Sequence, residues 1–579
     1  MNVFQGTIIT CDKNDSVCQY LVEENGRIAY AGDNLPEKYS GEKIIALDEK
    51  ALIPAFADSH LHFSSYSLIS STLDVRDAED FSSLSDILSC YVRKTDPKVV
   101  LGFGISANSL VEQRMITRPE LDKMEKRPTM LIKYDGHASV INTAMKNLLP
   151  DKIKKLRGYN GDSGQLFQEA FFAATDYITS KVSVISLVKH MLRAVDTMAA
   201  KGICLVHPAE GVGFVLDLDV DLVRLLARGL SNPFQFRVFF QTMETKKVLK
   251  RKLPRIGGCF ATALDGCFGS CDAALLRPYE KDPHNTGILF YTDRQVDAFV
   301  QDAHDKGLQI QLHAIGDAAV AQAIQAFDRA LKNNFRQDHR HSIIHASLMG
   351  QKSLDLCAAH QIGIAAQPAL LNLDLEPYAY LESILGPRVN EISPFRTMLD
   401  MGIHVSGGSD APVTLPDPAF GMYCACNHYE SSQSVSIMEA LKMFTHETAW
   451  ASFDDTDRGS LETGKIADMV ILDQNPLVMD KGDLFRLKTN TLFVGGEILS
   501  ARTGTAPAFV ECAFSWKLDK PNRHAPADGS FNCLYHRIFP PIYWKHPPLP
   551  PSGIKSVFLF PGAAGRSWRQ ALFFFSPGW

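Results

Sequence analysis

The chain has 579 residues, 45% of them hydrophobic and 21% charged, with a formal net charge of -6. That is the profile of a soluble globular protein too long for one ordinary core, and the charge leaves no basic stripe for a nucleic acid. No run reaches the roughly 20 apolar residues that cross a bilayer, and the first ten residues lack an export-signal pattern, so no membrane association and a cytoplasmic location are expected.

Residues 1–50 alternate short apolar runs with turns such as Glu24-Asn25-Gly26, the pattern of a small β-domain. The apolar run 51–57 then ends in Asp58-Ser59-His60-Leu61-His62. Side chains alternate faces along a strand, so His60 and His62 point the same way and can grip one metal ion. A second strand, Thr129 to Lys133, precedes Asp135-Gly136-His137, and a third, Ile203 to Val206, ends at His207.

Further runs repeat the theme. Residues 257–264 precede Asp265-Gly266, and Leu308 to Leu312 leads to His313 after an amphipathic helical stretch, 292–306. Ser342-Ile343-Ile344 ends at His345, Gly363 to Ala366 ends at Gln367-Pro368, and His404 to Ser409 ends at Asp410. Alternating strand and helix from 51 to 455 predicts a parallel β/α fold. With metal-ligating and acidic residues at strand C-termini, a closed (β/α)8 TIM-like barrel is the expected form.

The β pattern returns after Ala467, in Met469 to Leu472 and Thr491 to Gly496. Residues 513–579, rich in Pro, Phe and Trp, look unlike the rest and receive no assignment. The 12 cysteines are scattered and read as reduced, mostly small buried apolar residues; Cys259, Cys267 and Cys271 form one loose cluster and Cys424-Ala425-Cys426 another.

Taken together, the segments Leu52 to His62, Asp135 to His137, His313 to Ala319, Gln367-Pro368, Gly408 to Val413 and Gly459 to Asp468 resemble the metal-dependent hydrolases of the amidohydrolase superfamily, amidohydrolase 3 family. The resemblance covers residues 1–512. It implies a barrel at 51–455 and a small β-sandwich built from both chain ends, 1–50 and 456–512. It also implies a divalent cation held by His60, His62, His313 and Asp410, with zinc first and iron, manganese or cobalt also suited.

In that reading Asp410 is the general acid and base, and His345 is a further ligand or a donor to substrate. His137, His207, Asp265, Asp317 and Gln367 become candidates for the substrate pocket. Two departures stand out. Where many members carry a carboxylated, bridging lysine four residues before an Asp-Gly pair, this chain has Ala261, so one ion is expected rather than two unless Glu169 or Cys259 substitutes. Ile344 stands where a Glu commonly precedes the sixth-strand histidine.

The expected activity is hydrolysis of a non-peptide C–N bond, in an amide, formamide or cyclic amide of a small-molecule substrate. A deaminase on the same scaffold is the nearest alternative, and a binding protein that has lost catalysis is the alternative from another class. Self-association into a homo-oligomer is compatible with the sequence but not written in it.

Overall fold

Eight short runs, nearly all buried on both faces, line up in parallel as the sequence predicts: Phe56–Leu61, Ile203–Glu210, a third strand in two pieces at Gln235–Phe236 and Phe239–Phe240, Arg255–Ala263, Gln309–Ala314, Ser342–His345, Gly363–Ala366 and Val405–Gly407. They belong to a computed structural model that describes residues 1–499 apart from 230–233, 373 and 375. Neighbouring strands pair in parallel throughout. The ring closes where Asp410 N–H donates to the His60 carbonyl and His62 N–H to the Ala411 carbonyl, both at 2.8 Å.

The strands are buried on both faces because helices cover the outside, as parallel barrels require. The helix Asp293–Asp305 shows how: Thr292 and Gln295 form its capping box, and Val296, Phe299, Val300 and Ala303 face the core. Asp317–Asn333 packs against it and buries Val320, Ile324 and Phe327, each large side chain contributing roughly 1.5–3 kcal/mol. No single described helix is long and apolar enough to cross a membrane.

Both chain ends build one β-domain, in which Asn2–Ile9, Val17–Glu24, Arg27–Gly32 and Ile44–Pro54 share a seven-stranded sheet with Met469–Leu472, Thr489–Val494 and Glu497–Ile498. Phe4, Ile8, Leu21, Leu52, Met469 and Phe493 form its core. Within the stretch read as barrel, the structure sets apart a second sheet of five strands, Leu73–Asp74, Val100–Ile105, Thr129–Lys133, Ala138–Ile141 and Gln165–Phe167. It is inserted between the first and second barrel strands, so the loop carrying His137 comes from this insertion rather than from the barrel. The 513–579 segment lies outside the described residues.

Candidate metal centre

The strand alternation that aligns His60 with His62 delivers both Nε2 atoms to one carboxylate oxygen, Asp410 Oδ1, at 3.2 and 3.3 Å. All three side chains are buried. The contacts are short but out of line for hydrogen bonding, and Asp410 Oδ1 has no hydrogen-bond partner. Three ligand-type atoms thus converge, buried, on one point, which is the geometry of groups arranged around a cation.

His313 and His345, at the ends of the fifth and sixth strands, complete the cluster, their ring centroids 4.7 Å apart and that of His345 6.0 Å from His60. His345 and Asp410 both sit in the left-handed backbone region, at φ 69 and 57°. A non-glycine residue there costs on the order of 1–3 kcal/mol and persists only where surrounding contacts hold it. At Asp410 those contacts include the backbone bonds that close the barrel.

The fourth strand supplies the residue at the middle. Cys259 Sγ lies 3.1 Å from His60 Nε2 and 3.8 Å from His345 Nε2. Two ligand groups, His60, His62, Cys259 and Asp410, and Cys259, His313 and His345, each have their donor atoms within 4.8 Å of one another. They share Cys259. Its aim depends on Gly257 and Gly258, at φ 111 and 142°, which open a bulge: Gly258 pairs with Leu312, and the next pairing is Ala263 with His313.

Electrostatics favour a cation here. Burial holds the His60 and His313 imidazoles below their usual range and brings His345 down to about 4, so each is neutral at neutral pH with a lone pair to give. Burial alone would raise Asp410, but contact with His60 and His62 holds it well below the carboxylate range and therefore ionised. Burial pushes the Cys259 thiol far up, so it gives up its proton only to a strong local positive charge. The donor set, one carboxylate, one thiol and four imidazoles without a Lys or Arg among them, fits a divalent ion.

Buried acids support these ligands. Asp58 Oδ1 accepts the N–H groups of His60 and Ser409, both at 3.1 Å, tying the first strand to the loop after the eighth. Asp265 accepts from Ala274, Ile315 and Gly316 and stands 3.6 Å from His313 Nε2. Glu210 accepts from Ser64 N–H at the start of the helix after His62 and is pushed well up by burial and by neighbouring Asp219. Asp58 and Glu210 were missed in the sequence; the only signal was an acid at the C-terminal end of an apolar strand.

A cavity of about 790 Å³, mouth included, opens onto the cluster and is lined by His313, His345 and Asp410 on its floor. Of the sequence candidates for substrate contact, His137 and Gln367 line it. Asp265 lies beneath, outside the lining. Three expectations are corrected. Glu169 is exposed, 3.5 Å from Arg157, and belongs to neither ligand group. His207 is buried inside the barrel with neither ring nitrogen bonded, and Asp317 fastens a loop by accepting from Leu276 N–H; neither is among the lining residues.

The model of the amidohydrolase family matches residues 43–500. The putative amidohydrolase YtcJ of Bacillus subtilis is 24% identical over 529 residues, covering 85% of this chain and 98% of its own. An N-substituted formamide deformylase of Arthrobacter pascens is 25% identical over 548 residues, 87% of this chain and 98% of its own. Among solved structures, an uncharacterized metal-dependent hydrolase from Pyrococcus furiosus superposes with a TM-score of 0.66 at 25% identity, covering 82% of this chain and 99% of the other.

Proposed function

The chain belongs to the amidohydrolase family, and from that premise we propose that it hydrolyses a non-peptide C–N bond of a small-molecule amide, formamide or cyclic amide, as a cytoplasmic metal-dependent enzyme. One observation carries the reading: four imidazoles, an ionised carboxylate and a thiol converge, buried, at the floor of an open cavity. The likeness to an N-substituted formamide deformylase supports the choice of bond.

His60, His62, Asp410 and Cys259 would hold one ion and Cys259, His313 and His345 a second, with the thiolate shared. That donor set favours zinc, since a soft sulfur ligand disfavours manganese. A divalent ion there supplies Lewis acidity, which makes water acidic near neutral pH and polarises a carbonyl. Asp410 accepts the proton of the attacking water and passes it to the leaving nitrogen, so that an amine departs neutral. Gln367, itself anchored to the Ala365 carbonyl at 2.8 Å, and His137 orient the substrate.

The test is amine release from a panel of N-substituted formamides and acetamides by protein carrying its divalent ion, beside Asp410→Asn. Release that falls by at least a factor of about 10² in the variant supports the assignment, on the scale of removing a general base. Equal release by both proteins removes Asp410 from the mechanism.

A further inference from the structure

The upper wall of the cavity carries a polar group that the proposed reaction does not use. Tyr134, in the loop after the insertion strand Thr129–Lys133, donates its hydroxyl to Glu376 Oε1 across the pocket. The two meet directly over Gly269, where an added Cβ would fall 2.0 Å from Tyr134 Oη and 2.1 Å from Glu376 Oε1. Only a glycine leaves room for that pair.

A charge inventory of the cavity then shows what is missing. Among the described residues, three carboxyl groups line it, Asp135, Glu376 and Asp410, and no Lys or Arg does. Asp410 is committed to the metal cluster. Asp135 is neutralised by Lys133, 2.6 Å away, and also accepts from His137 N–H. Lys133 is occupied by Asp135 and by Ser270 at 2.8 Å. Glu376 is the lining acid that makes no ion pair: the Tyr134 phenol and the Gly269 backbone hold it, and the Lys133 charge reaches it only at longer range. Burial pushes it up to about 7, so a nearby positive charge would hold it ionised.

Much of the remaining wall is apolar, formed by the cluster of Phe268, Ile315, Leu371, Leu381 and Ile392, with Ser347 and Ser393 as polar points in it. We infer that the substrate is an N-acylated amine with an apolar middle and a second, basic nitrogen at its far end, which Glu376 and Tyr134 bind as an ammonium. The inference rests on the hydrolase reading given above. It also excludes N-acyl amino acids and other substrates that end in a carboxylate, because no cation among the described lining residues awaits them and Glu376 repels them.

Three matched probes test it: N-acetyl-1,5-diaminopentane, N-acetylhexylamine and N-acetyl-6-aminohexanoate, ending in an ammonium, a methyl and a carboxylate. Expected is a kcat/KM order of ammonium, methyl, carboxylate, with roughly a tenfold gap at the first step, the scale of one charge-assisted hydrogen bond. Glu376→Gln closes that gap by lowering kcat/KM for the ammonium probe toward that of the methyl probe. Calorimetric binding of pentylamine and of 1-pentanol, a cationic and a neutral head on the same chain, is measured on the same proteins. Tighter binding of pentylamine that is lost in Glu376→Gln supports the pocket assignment, even if no probe is hydrolysed and the hydrolase reading fails. Equal binding of the two, or a preference untouched by the substitution, overturns the assignment even if all three probes are cleaved.

Discussion

Replacing Cys259 by Ser separates a shared metal ligand from an ordinary buried residue. The side chains are nearly equal in volume, and a hydroxyl can keep the 3.1 Å contact with His60 Nε2, so the metal-free protein should lose no more than roughly 1–2 kcal/mol. Metal binding should change far more. Four-ligand zinc sites are worth about 10–16 kcal/mol at neutral pH, or roughly 3–4 kcal/mol per ligand, which corresponds to about 10²–10³-fold in Kd. Because Cys259 belongs to both ligand groups, both ions should weaken together. Titration against a competing chelator with elemental analysis reads the affinity and the number bound, and unfolding in excess chelator reads the metal-free stability. Two ions held at unchanged affinity by Cys259→Ser would refute the shared-ligand geometry, as would a collapse of the metal-free fold with metal affinity intact in whatever remains folded.

Glu169→Ala should leave metal content and turnover unchanged and stability within about 0.5 kcal/mol, because its visible partner is Arg157 on the surface; a tenfold loss of metal affinity would restore it to the site. Gly257→Ala should cost roughly 3 kcal/mol or more, read as a fall in urea midpoint, since its φ is 111° and the new Cβ would lie 1.8 Å from the Gln311 carbonyl oxygen. The His339–His341 pair should contribute stability that is lost on acidification, against an opposing gain from acids such as Glu210 and Glu376 that burial pushes up. The His341 ring accepts from Ile310 N–H at 3.1 Å and contacts His304 at 2.9 Å, while its backbone N–H donates to His339 Nδ1, and burial depresses His341 well below its usual range and His339 to about 4. Since the unfolded chain takes up these protons first, the contribution is complete above about pH 7 and is lost as pH falls from about 6.5 toward 4, by up to roughly 1.4 kcal/mol per pH unit for each histidine. A loss of unfolding free energy between pH 7.5 and 5 that is as large in His341→Asn as in the unsubstituted protein would contradict this.

Strand periodicity carried most of what the sequence revealed. A two-residue period puts His60 and His62 on one face whatever the tertiary context, and ligands at strand C-termini converge once a barrel closes, so His313, His345 and Asp410 could be gathered before any coordinates. Two features broke that counting. Across the bulge after Gly257-Gly258 the alternation of faces is reset, so counting back from Asp265 led to Ala261 while the strand in fact aims Cys259 inward. At Gln168 the backbone takes φ 47° where a helix begins, and Glu169 in its first turn faces solvent beside Arg157, an orientation that no strand alternation encodes. The five-stranded insertion was hidden for another reason, since a strand followed by a helix reads the same whichever sheet the strand joins. The Tyr134–Glu376 pair spans 242 residues, a separation no local pattern encodes.

The central claim is that this barrel holds its metal where the histidines, Asp410 and Cys259 meet. Anomalous diffraction from crystals of protein purified without chelator tests it most directly. The account predicts strong peaks at the end of the barrel strands, within ligand distance of His60, His62 and Asp410 and of Cys259, His313 and His345. A divalent ion bound elsewhere, with these side chains bonded to one another or to water alone, would contradict it.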